Sequence, residues 1–403
     1  MIAWAKKIVL ITAPVFLATA VVVAAGIEVW VRLRWNPNNG QPGLFLSDAV
    51  LGQRLAPNYD GWFAGVPVHI NNLGFRNPRD FTAAKPATAF RIVFLGDSVT
   101  FGHGSIYEHT YPYLFEQKLR AWRPDVDWQV WNLAVPGYNT TQELDHLKEI
   151  GPRFSPDLVI VGFYDNDLVD NHPPRTPGVL RVAATHALSF AQRHVYSIEL
   201  YKRIYLQMAW RLSASDKYRE RLENINAEED QIRKSDTLAD APEQKFSEFE
   251  HLTDEQAKAA CPKESRTSTE VVDAAQRQPG YRWWVEAVRQ FQRLNREGRY
   301  RIVFFLNVAP PKCEDKADPD WFLDDDGHGF NALITRVVSD GTMPVVSTHD
   351  ALLHTRPSQM PGWSGHSLGN TNALKADVLF SYLRDRGLLE ATPPRTQTSA
   401  AGR

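Results

Sequence analysis

Cysteine is almost absent from this sequence, which has two in 403 residues. Cys261 and Cys313 are compatible with one disulfide in an oxidising compartment or with two buried free thiols, and both interpretations stay open. There is no CxxC pair and no cluster of Cys and His, so the pattern gives no indication of a metal site. We therefore expect neither a metal ion nor another cofactor.

The sequence also lacks an excess of charge of either sign. Its formal net charge is -2 and 23% of its residues are charged. This balance gives no electrostatic reason to expect a nucleic-acid partner. The apolar content of 43% is that of an ordinary globular protein, and no internal repeat is present. The composition leaves the oligomeric state open.

One long uncharged run, Ile8 to Ile27, follows Lys6 and Lys7. Twenty residues of helix span about 30 Å, roughly the thickness of the hydrocarbon core of a bilayer. The alternative is a cleaved signal peptide with Ala18-Thr19-Ala20 as its cleavage site. Because the apolar run continues to Val31, the pattern favours an uncleaved single-pass anchor.

The orientation of this helix is predicted from what flanks it. Basic residues lie at both ends, but only five residues precede Lys6 and the rest of the chain follows the helix. We expect the amino terminus inside and the part beyond about residue 36 on the extracytoplasmic side. Trp30 and Trp35 suit the far interface, where amphipathic aromatic rings settle.

The composition along the chain predicts four parts. Residues 1–36 form the transmembrane anchor and its flank, and residues 37–88 a linker and a small β-rich lead-in. Residues 89–390 form the main domain, with a helical insertion at about residues 170–278. The insertion is charged, which is typical of a solvated face, and a lid over the site is the alternative. Residues 391–403 are a polar tail expected to be disordered.

Apolar strands alternate with amphipathic helices from residue 91 onwards. This alternation is typical of a parallel sheet covered on both faces. We predict an α/β fold: a three-layer α/β/α arrangement around a mostly parallel five-stranded sheet, with an N-terminal transmembrane helix and a helical insertion. The predicted strands are "RIVFLG", "DWQVWNLAVPG", "PDLVIVGFYDND", "RIVFFLNVAPP" and "PVVSTHDAL".

Small and polar residues follow the first three of these strands. The first runs into Gly96-Asp97-Ser98, the second ends at Gly137, and the third ends near Asn166. The carboxyl ends of parallel strands meet at one edge, where open α/β folds bind ligands. Acyl transfer needs a nucleophilic hydroxyl, a base and donors for an oxyanion. Ser98 would supply the hydroxyl, and its N–H, the N–H of Gly137 and the Asn166 amide the donors. Taken singly, each could merely be a helix cap, a turn residue or a loop residue.

Four stretches resemble the four blocks of the SGNH, or GDSL-type, hydrolases. They are "GDSVTFG", the later Gly137, "GFYDND" and "GHSLGNTNALKADVLFSYL". The resemblance covers roughly residues 45–170 and 280–385 and implies the flavodoxin-like fold of that family. It also implies that Ser98 is the nucleophile, that Gly137 and Asn166 complete the oxyanion hole, and that His366 is the base. The stretch "VHINNLGFRNPRDF" resembles the lead-in of membrane-anchored members.

The sequence departs from the family at one position. Members usually have an Asp three residues before the catalytic His, whereas this chain has Trp363. Either Ser98 and His366 act as a dyad, or Asp350 at the end of the last strand orients the ring. His328 is an alternative base because Asp325-Asp326-Gly327-His328 keeps the family's spacing. We prefer His366 because it precedes the final helix, and expect the acidic stretch before His328 to be a surface loop.

Two further side chains near Ser98 are expected to have a structural role or a surface position rather than a role in catalysis. Asp97 is expected to hold the turn through backbone hydrogen bonds rather than to act as a base. His103 is expected at the surface, with a place in the pocket as the alternative.

Three functions are compatible with these residues. The first is an envelope-anchored serine esterase or deacylase that acts through an acyl-enzyme on an ester of a glycan, lipid or small molecule. The second is an O-acyltransferase that passes the acyl group to a cell-envelope polysaccharide. The third is a non-catalytic binding or scaffold protein, which the missing Asp supports. The expected partners are an acyl-ester substrate and the membrane.

Overall fold

The computed structural model describes most of the chain. The described residues are 2–35, 42–213, 218–219, 221–223, 225–226, 268–307, 325–339, 341–352, 362–363 and 366–390. Side chains are described for these residues except 2–11, 268, 271, 325–330, 350 and 362–363. The two cysteines and the predicted tail lie outside the described residues.

A five-stranded parallel sheet forms the centre of the molecule. Its strand order is β6-β5-β7-β8-β9, and every neighbouring pair is parallel. The predicted α/β fold is therefore confirmed, while the boundaries proposed at residues 36, 88 and 390 stay a prediction. The strands are β5 (Ala89–Gly96), β6 (Asp127–Asn132), β7 (Leu158–Phe163), β8 (Ile302–Leu306) and β9 (Val345–Ser347).

The described helices begin and end as follows: α1 (Ile2–Arg34), α2 (Ser98–Phe101), α3 (Tyr111–Trp122), α4 (Thr140–Phe154), α5 (Asp167–Asp170), α6 (Val179–His194), α7 (Ser197–Ser213), α8 (Ser268–Gln276), α9 (Tyr281–Arg296), α10 (Asp325–Val338), α11 (His349–Leu352) and α12 (Gly369–Asp385). A short hairpin of β10 (Gly362–Trp363) and β11 (His366–Ser367) precedes α12.

Both faces of the sheet are buried. Successive side chains of a strand point to opposite faces, so each strand contributes to two cores. Ile92 and Phe94 of β5 join the cluster that contains residues of α3 and α12. Val93 and Leu95 join the cluster that contains residues of α4, α9 and α10. Continuous apolar strands therefore fill two separate cores, and this explains why their sequences do not alternate with polar residues.

Two antiparallel hairpins precede the sheet in the chain. They are β1 (Phe45–Asp48) with β2 (Gly52–Leu55), and β3 (Tyr59–Phe63) with β4 (Val66–Ile70). Their apolar side chains share a third core cluster with Phe101 of α2 and with Val135 and Tyr138, which follow β6. This lead-in therefore packs against the loops at the carboxyl edge of the sheet.

Helix α1 contains a segment long and apolar enough to cross a membrane. This segment is Thr12–Arg34, with a mean hydropathy of 2.0, and none of its most apolar window is buried. The end of α1 contacts the start of α7, because the Glu28 carboxylate accepts hydrogen bonds from the N–H groups of Tyr196 and Ser197. Helix α6 is bound to the lead-in through Ser189, whose hydroxyl donates to the Ser47 carbonyl.

Four ionisable side chains are buried below the carboxyl edge of the sheet. They are Asp97, Glu143, Asp167 and Lys375, each less than 3% exposed. Burial raises the pKa of Asp97 to about 6, although the positive charge of Lys375 opposes the rise. Burial and the neighbouring carboxyls raise the pKa values of Glu143 and Asp167 well above their usual range. Burial lowers the pKa of Lys375 to about 7.

These shifts predict how stability depends on pH. Between the ordinary pKa of Asp97 of 3.8 and its folded value of about 6, the folded state binds more protons than the unfolded state. The free energy of unfolding therefore falls as pH rises through this window. We expect Asp97→Asn, which keeps the Oδ1 acceptor and does not titrate, to make that fall smaller by at most about 3 kcal/mol.

Denaturant unfolding of the full chain in mild detergent at several pH values from 4 to 6 measures this effect. The wild-type chain is the control. Equal pH slopes for the variant and the wild type would contradict a raised Asp97 pKa.

Candidate active site

Ser98 lies at the end of β5 and is the first residue of α2. The Asp97 carboxylate caps this helix by accepting a hydrogen bond from the N–H of Val99 at 2.9 Å. The expectation that Asp97 holds the turn is therefore confirmed. The side chain of Ser98 is partly exposed, whereas its neighbours on both sides are buried. The turn thus presents a single accessible hydroxyl.

Two glycines allow α2 to approach the sheet closely. Gly96 of β5 pairs in register with Gly162 of β7. A Cβ atom at either position would lie 2.2 Å from Thr100 Oγ1, which is closer than atoms can pack. The bare backbone of both strands therefore accommodates the helix that carries Ser98.

His366 lies next to this hydroxyl, although 268 positions of sequence separate the two residues. Its Nε2 is 2.7 Å from Ser98 Oγ. The ring belongs to β11, where His366 pairs in register with Trp363 of β10. Asn372 of α12 fixes this strand, because its amide donates to the Ser367 carbonyl at 3.0 Å and to Ser105 Oγ at 3.1 Å. The structure therefore brings together the two residues that the sequence paired.

The imidazole of His103 stacks on the imidazole of His366. The ring centroids are 4.1 Å apart and the planes differ by 20°. The His103 ring also meets the ring of Phe63 of β3 edge-on, at a centroid distance of 4.9 Å. Burial, the neighbouring His366 and the charge of Arg76 lower the pKa of His103 well below 6.5, so its ring is neutral near pH 7. The expected surface position of His103 is wrong, and the pocket alternative is correct.

Arg76 holds the loop that follows Ser98, and its side chain is 1% exposed. Its guanidinium donates to the carbonyls of Phe101, Gly102 and Ser105 at distances between 2.5 and 2.8 Å. It also lies 4.5 Å from the centroid of the Phe101 ring. A buried cation without hydrogen bonds would be very costly, so these three carbonyls fix the loop and the guanidinium together. This role of Arg76 was not predictable from the sequence.

Gly137 lies in an exposed turn with a φ of +80°, a conformation that favours glycine. Hydrogen bonds connect the residues on either side of Gly137 to the lead-in. Gln53 of β2 donates to the Pro136 carbonyl at 2.6 Å, and the Tyr138 hydroxyl donates to the Gln53 carbonyl at 2.7 Å. After the turn, Asn139 and Gln142 form a capping box that starts α4.

Asn166 directly precedes α5 and is partly exposed. Its Oδ1 is buried and has no hydrogen-bond partner among the residues that the structure describes. The loop that contains Asn166 is tied to the Gly137 loop, because Thr140 Oγ1 donates to the Asp167 carboxylate and Asn139 Nδ2 donates to the Asp170 carbonyl, both at 2.9 Å. The loops that follow β6 and β7 are therefore linked directly beside β5.

For the two remaining candidates from the sequence, the structure describes only the backbone. Asp350 belongs to α11, directly after β9, and His328 belongs to α10, but both side chains lie outside the described residues. Their roles as orienting acid and alternative base stay predictions. Within the part of the chain whose side chains are described, no group of three or more His, Cys, Asp and Glu residues could hold a metal ion.

Solved structures with a similar arrangement include several esterases and lipases. An acetylxylan esterase from Geobacillus stearothermophilus, solved as a catalytic mutant, is 12% identical with a TM-score of 0.38, over 77% of this chain and 100% of that one. A lipase from a goat rumen metagenome is 14% identical with a TM-score of 0.36, over 75% and 100%. A GDSL-like lipase from Bacteroides thetaiotaomicron is 11% identical with a TM-score of 0.34, over 75% and 92%. Likenesses this distant carry no argument about substrate.

No curated protein matches the chain. Residues 94–259, however, match the GDSL-like lipase/acylhydrolase family. The match includes Ser98, Gly137 and Asn166 and ends before His366, which the geometry alone places beside the hydroxyl. The part of the chain that contains Ser98 is therefore a GDSL-like lipase/acylhydrolase domain, and the protein is an ester-bond hydrolase, as the four sequence blocks indicated.

Proposed function

We propose that this protein is a membrane-anchored serine esterase that removes acyl groups from an ester of a glycan, lipid or small molecule in the cell envelope. The observation that carries the proposal is the 2.7 Å distance between Ser98 Oγ and His366 Nε2 at the partly exposed edge of the sheet. A neutral imidazole within hydrogen-bond reach of a hydroxyl acts as its general base.

In the proposed reaction, Nε2 of His366 takes the Ser98 proton as Oγ forms a bond to the acyl carbon. The carbonyl oxygen gains negative charge, which the N–H groups of Ser98 and Gly137 and the Asn166 amide stabilise. The imidazolium then gives its proton to the leaving oxygen, which departs as an alcohol. Water, deprotonated by the same ring, attacks the acyl group on Ser98, releases the acid and restores the hydroxyl.

The stacked ring of His103 supports this cycle in two ways. It restricts the plane of His366, so that Nε2 keeps its direction towards Ser98. Because the pKa of His103 is lowered, this ring stays neutral when His366 takes up a proton, and no second positive charge opposes the transfer. The orienting group on the far nitrogen of His366 is Asp350 in one hypothesis and absent in the dyad hypothesis.

The proposed anchor is α1, with the catalytic domain on the extracytoplasmic side. Basic residues lie at both ends of the helix, with Lys6 and Lys7 before the apolar segment and Arg32 and Arg34 at its end. Trp30 and Trp35 lie at the carboxyl end, where aromatic rings suit a membrane interface.

A fluorophosphonate probe tests the proposed nucleophile and base. We expect the wild-type chain to be labelled at Ser98 and Ser98→Ala to lose that label. Replacing the base removes the proton acceptor, so His366→Ala should lower the labelling rate about 10²- to 10⁴-fold. His328→Ala is the matched control and should label at the wild-type rate.

The outcomes of this experiment separate the hypotheses. Loss of labelling in His328→Ala but not in His366→Ala would assign the base to His328. Absence of labelling in the wild-type chain would favour the non-catalytic interpretation. An acetyl-ester assay with and without a sugar acceptor then distinguishes hydrolysis from transfer. We expect free acetate at the same rate in both, whereas acetylated sugar would favour the O-acyltransferase alternative.

Substitution of His103 tests the role of the stacked ring. His103→Ala removes the aromatic contact, which is worth about 0.5–1.5 kcal/mol, and we expect kcat/KM to fall about 2- to 10-fold. His103→Phe keeps a neutral ring and should retain most of the activity. Both are measured by ester hydrolysis across a pH series. If Phe were as damaging as Ala, the role of His103 would lie in its nitrogen atoms and not in stacking.

A further inference from the structure

Helix α7 exposes an apolar stripe along its length. The stripe consists of Tyr201, Ile204, Tyr205, Met208 and Leu212, which are 43–84% exposed. Steps of three, one, three and four residues place these side chains on one face of a helix. The ring of Tyr205 has an edge-on contact with Tyr218 at 6.4 Å and is nevertheless 61% exposed. A contiguous exposed apolar face on a helix is typical of an interaction surface.

The opposite side of α7 differs from the stripe. Leu206 is 3% exposed and lies about 100° or more from most of the stripe around the helix. Lys202 and Arg211 are exposed and flank the stripe on its two sides. The helix therefore combines an exposed apolar face and basic flanks with a side on which Leu206 is buried and Trp210 is 36% exposed. Basic residues beside an apolar helical face are typical of helices that lie in a membrane interface.

Direct contacts bind the start of α7 to the end of α1. Glu28 accepts hydrogen bonds from the N–H groups of Tyr196, which precedes α7, and of Ser197, its first residue. Arg32 donates to the carbonyl of His194, the last residue of α6, at 2.7 Å. The Tyr196 ring meets the Trp35 ring edge-on at 5.0 Å. The stripe thus begins beside the end of the apolar segment of α1, where a membrane-spanning helix leaves the bilayer.

From this continuity we propose that α7 lies in the surface of the lipid bilayer, with the Tyr201–Leu212 stripe in the interface of the leaflet where α1 ends. The proposal rests on α1 being a membrane anchor. The two tyrosines suit the headgroup level because each ring has an apolar body and a polar hydroxyl. Lys202 and Arg211 are placed to contact anionic headgroups.

Attachment to the membrane through both α1 and α7 restricts the orientation of the catalytic domain more than attachment through α1 alone. Residues 171–178 connect α5, which follows Asn166, to α6, and eight residues span at most about 28 Å. Helix α6 is in turn hydrogen-bonded to the lead-in that supports the active-site loops. Attachment of α7 therefore limits the tilt of the domain and keeps the active-site edge close to the leaflet.

Site-specific fluorescence quenching in nanodiscs tests the proposal on the full chain. A Cys261→Ser, Cys313→Ser background receives one new cysteine, which is labelled with an environment-sensitive dye. Tyr205→Cys reports on the stripe, and Gln207→Cys is the matched control on another face of the same helix. Val22→Cys, on the exposed surface of α1, reports on the anchor. Circular dichroism and thermal unfolding confirm that each variant is folded.

We expect the dye at position 205 to emit at shorter wavelength and to be quenched by headgroup-proximal spin-labelled lipid about twofold more than at position 207, as for a face buried about 5–10 Å into the interface. Quenching at position 22 without quenching at 205 would overturn this inference and leave the anchor standing. A blue shift at 205 without lipid quenching would mean that protein, such as a second copy, covers the stripe, and would also overturn it. Position 22 lies near the middle of the proposed span, so its quencher is lipid spin-labelled deep in the acyl chain; absence of that quenching would refute the anchor and this inference together.

Discussion

The hydrogen bond between Ser98 Oγ and His366 Nε2 is the interaction on which the rest of the account depends. It joins the end of the first sheet strand to a short hairpin near the end of the described chain. Such a contact forms only if both ends are held independently. Arg76 and the Asp97 cap hold the Ser98 end. Asn372 and the stacked His103 ring hold the His366 end.

The lead-in supports both the Ser98 end and the His366 end of this hydrogen bond. Arg76 fixes the loop after Ser98, Gln53 fixes the turn that contains Gly137, and Phe63 packs on His103. These three residues come from a segment that precedes the sheet in the chain. The segment is therefore part of the active-site scaffold, and a chain without it would lose support for the nucleophile loop, the Gly137 turn and the His366 ring at once.

The sheet was predictable because its strands are apolar on both faces, and the carboxyl ends of parallel strands meet at one edge. That rule predicted that Ser98, Gly137 and Asn166 lie together, and the position of His366 before the final helix favoured it over the better-spaced His328. Arg76 was missed because its partners are backbone carbonyls, which leave no mark in a sequence. His103 was expected at the surface because the stacking ring comes from a residue more than 250 positions away. The apolar stripe of α7 was also missed, because in the sequence charged residues of the predicted insertion surround it.

The structure of the enzyme with a phosphonate bound covalently to Ser98 tests the central claim most directly. The phosphonyl oxygen occupies the place of the oxyanion, so the account predicts that it lies about 2.7–3.1 Å from the nitrogen atoms of Ser98, Gly137 and the Asn166 amide. His366 Nε2 should remain within hydrogen-bond distance of the adduct. An adduct whose oxygen points away from Gly137 and Asn166, or a ring other than that of His366 beside it, would contradict the account.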